Sequence, residues 1–159
     1  MNTRTTRTLA AALSLAAVLA ISGCSGDSKP EMTVSGAFMP QPVNDKMAGG
    51  FMVIKNDSAA ADKLTGAASP LSDDLQIHET KDQKMQQVQS MDVPANGELK
   101  LERGGNHIMF MGLKSTPKVG DKVTVELRFE KAGTVKVELD VKERTYTGQD
   151  PASTAGNGH

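Results

Sequence analysis

The sequence predicts an all-β fold, an antiparallel β-sandwich or Greek-key barrel. Three observations carry that expectation. Two long runs near the end of the chain alternate strictly between apolar and polar residues, the period-two signature of half-buried strands. Several further short runs are separated by turn-forming residues at roughly 8–12-residue spacing. No stretch of a dozen residues shows a helical period.

Taken in order, the 159 residues begin with a segment outside the fold. Arg4 and Arg7 form a basic start, and Leu9 to Leu19 is an Ala/Leu/Val run too short to span a bilayer. Ile21-Ser22-Gly23-Cys24 follows, with small residues at the two positions before a lone Cys. That arrangement resembles a bacterial lipobox. It predicts a signal peptide over 1–23, lipidation at Cys24, and a polar tether over 24–30. The mature protein is then extracytoplasmic, held by a lipid anchor on the outer face of the bacterial cell membrane.

The folded domain is expected over 31–147. Strands are predicted at Met32–Met39, Gly50–Asn56, Lys63–Ala67, Asp74–Thr80, Met85–Val93, Glu98–Glu102 and His107–Leu113. The breaks between them fall at Asn56-Asp57-Ser58, Ser69-Pro70, Pro94-Ala95-Asn96-Gly97 and Gly104-Gly105. Val123, Val125, Leu127 and Phe129 then alternate with polar residues, as do Val135, Val137, Leu139 and Val141. Lys131-Ala132-Gly133 joins these runs as a hairpin. The Gly/Ala/Ser/Pro-rich stretch 148–159 reads as a disordered tail carrying His159.

Composition narrows the function. Loss of residues 1–23 removes Arg4 and Arg7 and no acid, leaving 16 basic residues against 19 acidic ones and a charge of about −3. Nothing in that balance calls for nucleic acid. Cys24 is the one cysteine, so lipidation removes both a disulfide and a thiolate ligand from consideration. No Ser/His/Asp spacing and no carboxylate cluster supports an enzyme mechanism.

The chemistry lies in methionine and histidine. Aromatic residues make up only 3% of the chain, yet there are nine Met, eight of them after the signal peptide. In Gly105-Asn106-His107-Ile108-Met109-Phe110-Met111-Gly112-Leu113, a strand sends Ile108 and Phe110 to one face and His107, Met109 and Met111 to the other. By the same alternation Leu75 and Ile77 face inward while His78 projects outward beside Gln76. Met85 and Met91 lie on the face opposite Val88. Three segments therefore offer His or Met from their non-core sides. Neutral thioethers with imidazole are soft donors that suit copper(I) better than zinc, calcium or magnesium. A blue-copper electron-transfer site would need a thiolate, which this chain lacks.

These segments resemble the periplasmic copper chaperones called PCu(A)C. The resemblance runs from about Met32 to Val141. It is carried by Val34-Ser35-Gly36-Ala37-Phe38, by Ala48-Gly49-Gly50-Phe51-Met52-Val53-Ile54-Lys55-Asn56, by Ile77-His78-Glu79-Thr80, by Gly105 to Leu113, and by Phe129-Glu130-Lys131-Ala132-Gly133. The family motif is a His, a loop, a Met, twenty-one residues, then His-x-Met. His78, Met85 and His107-Ile108-Met109 fit it, with twenty-one residues between Met85 and His107. The resemblance implies a cupredoxin-like sandwich that binds copper(I) through His78, Met85, His107 and Met109. It further implies delivery to the binuclear copper centre of cytochrome c oxidase, directly or through another copper chaperone. Here only six residues separate His78 from Met85, fewer than is usual in the family, and the Met that opens the family loop is missing. Met111 and Met91 therefore stand as alternates to Met85. The competing functional readings are a copper buffer or resistance lipoprotein without an oxidase client, and a plain β-sandwich used for adhesion. The chain is expected to act as a monomer.

Overall fold

The computed structural model describes residues 29–148. The expected signal peptide, Cys24, most of the tether, and the tail with His159 lie outside the described residues. The described chain forms ten strands. They are β1 (Met32–Pro40), β2 (Met47–Asn56), β3 (Asp62–Ala68), β4 (Ser72–Lys81), β5 (Lys84–Val88), β6 (Met91–Val93), β7 (Gly97–Leu101), β8 (His107–Leu113), β9 (Lys122–Phe129) and β10 (Gly133–Lys142).

The all-β expectation holds, with one departure in pairing. The strands join in the order β5-β4-β8-β2-β1-β10-β9-β3-β6, and β7 branches from β2. β1 and β10 run parallel, through Phe38↔Asp140 and Met39↔Val141, while every other described pair is antiparallel. The sheet is therefore mixed and mostly antiparallel. The parallel pair joins the first strand to the last, a long-range contact that no local pattern announces.

β2 is the hinge of the architecture. Its first half, Met47 to Gly50, pairs with β8, and its second half, Met52 to Asn56, pairs with β7. The sheet curls so that side chains from distant strands share one interior. A Cβ on Gly50 would lie 3.0 Å from the Phe110 ring of β8 and 3.3 Å from Leu139 of β10. Around this point Met39, Met52, Ile54, Leu64, Ile108, Phe110, Val125, Leu127, Leu139 and Val141 form a continuous apolar core. Burying each such side chain is worth roughly 1.5–3 kcal/mol, which locks the alternation of every strand to the interior.

The β9–β10 hairpin follows its sequence pattern closely. Val123 opposes Leu139 and Val125 opposes Val137, and all four are buried. Gly133 leaves the turn at φ 81°, a conformation that favours glycine. Buried Asp62 secures the same turn from β3. Its carboxylate accepts from the backbone N–H of Lys131 and of Ala132, both at 2.8 Å. Two orphan amides and one buried charge are satisfied together.

The predicted strand Met85–Val93 is two strands. β5 ends at Val88, and β6 begins at Met91 and pairs with β3 through Leu64↔Met91. This break reverses one expectation. Met91 does not share the outward face with Met85; it is 7% exposed and belongs to the apolar core.

Candidate metal centre

His78 and His107 are direct cross-strand partners on β4 and β8. Partners in register share a sheet face, so both rings stand on the side away from Ile77 and Ile108, and their centroids are 5.3 Å apart. Met109 lies two residues along β8 on the same face, opposite Gln76 of β4 and Gly49 of β2.

Met85 reaches this face through a tight hairpin. The short spacing from His78 is absorbed by a two-residue turn, Asp82-Gln83, in which both residues have positive φ, 51° and 63°. A turn of this kind matches the twist of paired strands. It sets Met85 opposite Thr80 and Gln87 opposite His78. Met85 is thus diagonal to His78, a separation of about 7–8 Å between residues that long side chains can bridge. Its side chain is 66% exposed, an unusual place for a thioether with only a packing role.

Met85, His107 and Met109 line one open hollow of about 360 Å³, together with Met47, Gly49, Phe51 and Arg103. His78 does not line it; its ring sits beside that of His107. The alternates to Met85 fall elsewhere. Met111 shares the face but stands opposite Asp74 and Met47, four residues and therefore about 13 Å along the strand from His107. Met91 is in the core.

The surroundings hold His107 firmly. Its ring is 5% exposed, more enclosed than an outward-facing position implies. Nδ1 donates to the Gly105 carbonyl at 2.9 Å, which leaves Nε2 as the nitrogen with a free lone pair. Gly105 also accepts from the Thr80 hydroxyl at 2.9 Å, and the Asn106 side-chain oxygen accepts from the Thr80 N–H at 3.2 Å. These bonds pin the loop before β8 onto β4. Behind it an aromatic chain runs from Tyr146 to Phe38 (4.8 Å), to Phe51 (5.3 Å), to His107 (6.2 Å). Gly49 makes room for it, since a Cβ there would lie 2.9 Å from Cζ of Phe51.

Burial, and then the neighbouring His107, push His78 below the ordinary histidine value of 6.5, so the ring is neutral at pH 7. Its Nε2 is 2.9 Å from Oε1 of Gln76. Among the described residues no three His, Cys, Asp or Glu side chains come together in a group fit for a metal ion. The donors present are the His107 imidazole with the Met85 and Met109 thioethers around the hollow, and the His78 imidazole beside His107, a soft set of side chains.

Sequence reasoning missed Met47, Gly49 and Phe51 as lining residues. Met47 is half exposed on the outward face of β2, and a strand expected to start at Gly50 left it out. The alternation Met47-Gly49-Phe51, read back from Phe51, is the signal that would have found them.

The curled sheet and its His/Met face define a class of small β-domains with the PCuAC fold. Residues 32–141 match the family described as "Putative lipoprotein LpqE-like", and the chain belongs to that family. It is similar to the "Putative lipoprotein Lxx21020" of Leifsonia xyli subsp. xyli, with 33% identity over 156 residues, covering 89% of this chain and 93% of that protein. Among solved structures it is similar to the copper-bound PCuAC domain from PmoF2. The TM-score is 0.65 at 20% identity, covering 73% of this chain and 96% of that one. It is also similar to the copper(I) form of DR1885 from Deinococcus radiodurans. There the TM-score is 0.59 at 28% identity, covering 80% of this chain and 87% of that one.

Proposed function

We propose that this protein is an extracytoplasmic copper(I) carrier that holds one ion through His78, Met85, His107 and Met109 and releases it by ligand exchange. The observation that carries the reading is the shared face. His78 and His107 are cross-strand partners with centroids 5.3 Å apart, while Met85 and Met109 line the same hollow as His107. Thioethers bind copper(I) and discriminate against the harder divalent ions, and an uncharged, open site lets an incoming donor replace one ligand at a time. The copper-bound states of the PmoF2 domain and of DR1885 support the same cargo. The chemistry is exchange of ligands, with no covalent bond made or broken.

The decisive test is anaerobic competition with a chromophoric copper(I) chelator. The wild-type domain takes one copper(I) per chain, and His107→Ala with Met109→Ala lowers its affinity on the order of 100-fold or more, beyond what loss of an outer-shell partner costs. Unchanged affinity in the folded double variant would overturn the reading.

Anchoring through lipidated Cys24 fits the lipoprotein description of the family and of the Leifsonia relative. The recipient in this proposal is the binuclear copper centre of cytochrome c oxidase or a chaperone that serves it. One chain supplies all four donors, so a monomer suffices. A deletion strain grown at limiting copper loses oxidase activity that added copper restores. Normal oxidase activity there, with increased copper sensitivity, would favour a protective buffer instead.

A further inference from the structure

Gln76 stands between two groups whose chemistry decides which way round its amide sits. Its Nε2 is 3.1 and 3.3 Å from the two carboxylate oxygens of Asp74, and its Oε1 is 2.9 Å from Nε2 of His78. The three residues occupy alternate positions on β4 and share one face. An ionised carboxylate only accepts hydrogen bonds, so Asp74 takes the amide N–H and turns the amide oxygen toward the histidine. That oxygen also only accepts. His78 Nε2 must therefore carry the hydrogen, and in a neutral imidazole the free lone pair then sits on Nδ1. His107 is set the other way, because its Nδ1 donates to Gly105 and its lone pair is on Nε2.

We infer that Asp74 and Gln76 are positioning residues of the site: they lock His78 as the Nε2–H tautomer, so that copper(I) is taken by Nδ1 of His78 and Nε2 of His107. Neither residue touches the ion. Each acts through His78, as the outer-shell partners of metal-binding histidines generally do. The metal half of this inference rests on the copper(I) reading above, whereas the tautomer half concerns the metal-free protein. Without Asp74 the Gln76 amide is free to turn its nitrogen toward the ring, and the lock is lost. The pair thus gives the two histidines different donor atoms although they face each other across adjacent strands.

The test is nitrogen-15 NMR of the histidine rings, with copper(I) affinity measured in parallel. In the metal-free wild-type domain His78 shows a single tautomer with the hydrogen on Nε2. Added copper(I) shifts Nδ1 of His78 and leaves its Nε2–H in place. Gln76→Leu and Asp74→Asn each give a mixture of tautomers, and Gln76→Leu weakens copper(I) binding by about 10- to 100-fold. A merely structural role for Gln76 would leave the ring spectrum unchanged in the folded variant. Mixed tautomers in the wild type, or copper(I) on Nε2 of His78, would overturn the inference. A locked tautomer in a wild-type protein that binds no copper(I) would instead sink the carrier reading, and the metal half of the inference with it.

Discussion

Thr80 and Met85 are cross-strand partners at the tip of the β4–β5 hairpin, and Thr80 also bonds both Gly105 and Asn106 in the loop before β8. One residue thus ties the strand that carries His78 to the loop that leads into His107, while facing the methionine proposed to complete the set. The geometry of the site is a property of these pairings more than of any single ligand.

Met85 and Met91 separate binding from folding. Met85→Leu keeps volume at an exposed position and should change stability by no more than about 0.5 kcal/mol, while copper(I) affinity falls. Met91→Ala empties a buried core position and should cost about 2–5 kcal/mol, with copper(I) affinity of the folded fraction retained. Chemical denaturation and chelator competition on both variants check the contrast.

Gly49→Ala tests the support behind His107. The added carbon meets the Phe51 ring at 2.9 Å, and that ring is hemmed in by Phe38 and His107. Overpacking of this kind costs about 1–3 kcal/mol. The midpoint of denaturant unfolding should fall accordingly, and the ring contacts between Phe51 and His107 should weaken in NMR spectra.

The depressed proton affinity of His78 has a definite sign. The unfolded chain protonates this ring at a higher pH than the folded one does, so between pH 6.5 and the lower folded-state value the unfolded state holds more protons. The contribution of His78 to stability is therefore intact above pH 6.5 and is lost as pH falls through the folded-state value. Metal-free His78→Gln should show a flatter decline over that window in denaturant titrations. An unchanged pH profile would contradict the assignment.

Asp62→Ala should be among the more damaging polar substitutions. The carboxylate is 3% exposed and serves the amides of Lys131 and Ala132. Its removal leaves two donors of the β9–β10 turn unpaired, at a cost of about 2–3 kcal/mol. Asp62→Asn, which keeps an acceptor oxygen, should cost less in the same unfolding assay.

Alternation made the strands legible because the core enforces it: β8 falls on the predicted His107–Leu113, and the hairpin of β9 and β10 lies within a residue or two of expectation. Alternation also put His78, His107 and Met109 on outward faces. It does not say which strand neighbours which, so the His78↔His107 pairing and the parallel β1–β10 contact could not be read locally. The strand expected to start at Gly50 begins at Met47, and Gly49 and Gly50 are close-packed within its first half. Gln89-Ser90 carries no strong turn signal, so the step from β5 to β6 went unseen and Met91 was given the wrong face. The short spacing from His78 to Met85 looked like a defect in the motif. In the fold it is a hairpin that needs no longer loop.

The pairing of β1 with β2 also sets which way the molecule looks. Met32 lies against Asn56 at one end, whereas Phe38 lies against Phe51 at the other, close to the Pro40 and Gln41 rim of the hollow. Six residues of strand, about 20 Å, separate the point where the described chain enters the domain from the end that carries the hollow. The entry of the described chain and the mouth of the hollow thus lie toward opposite ends of β1.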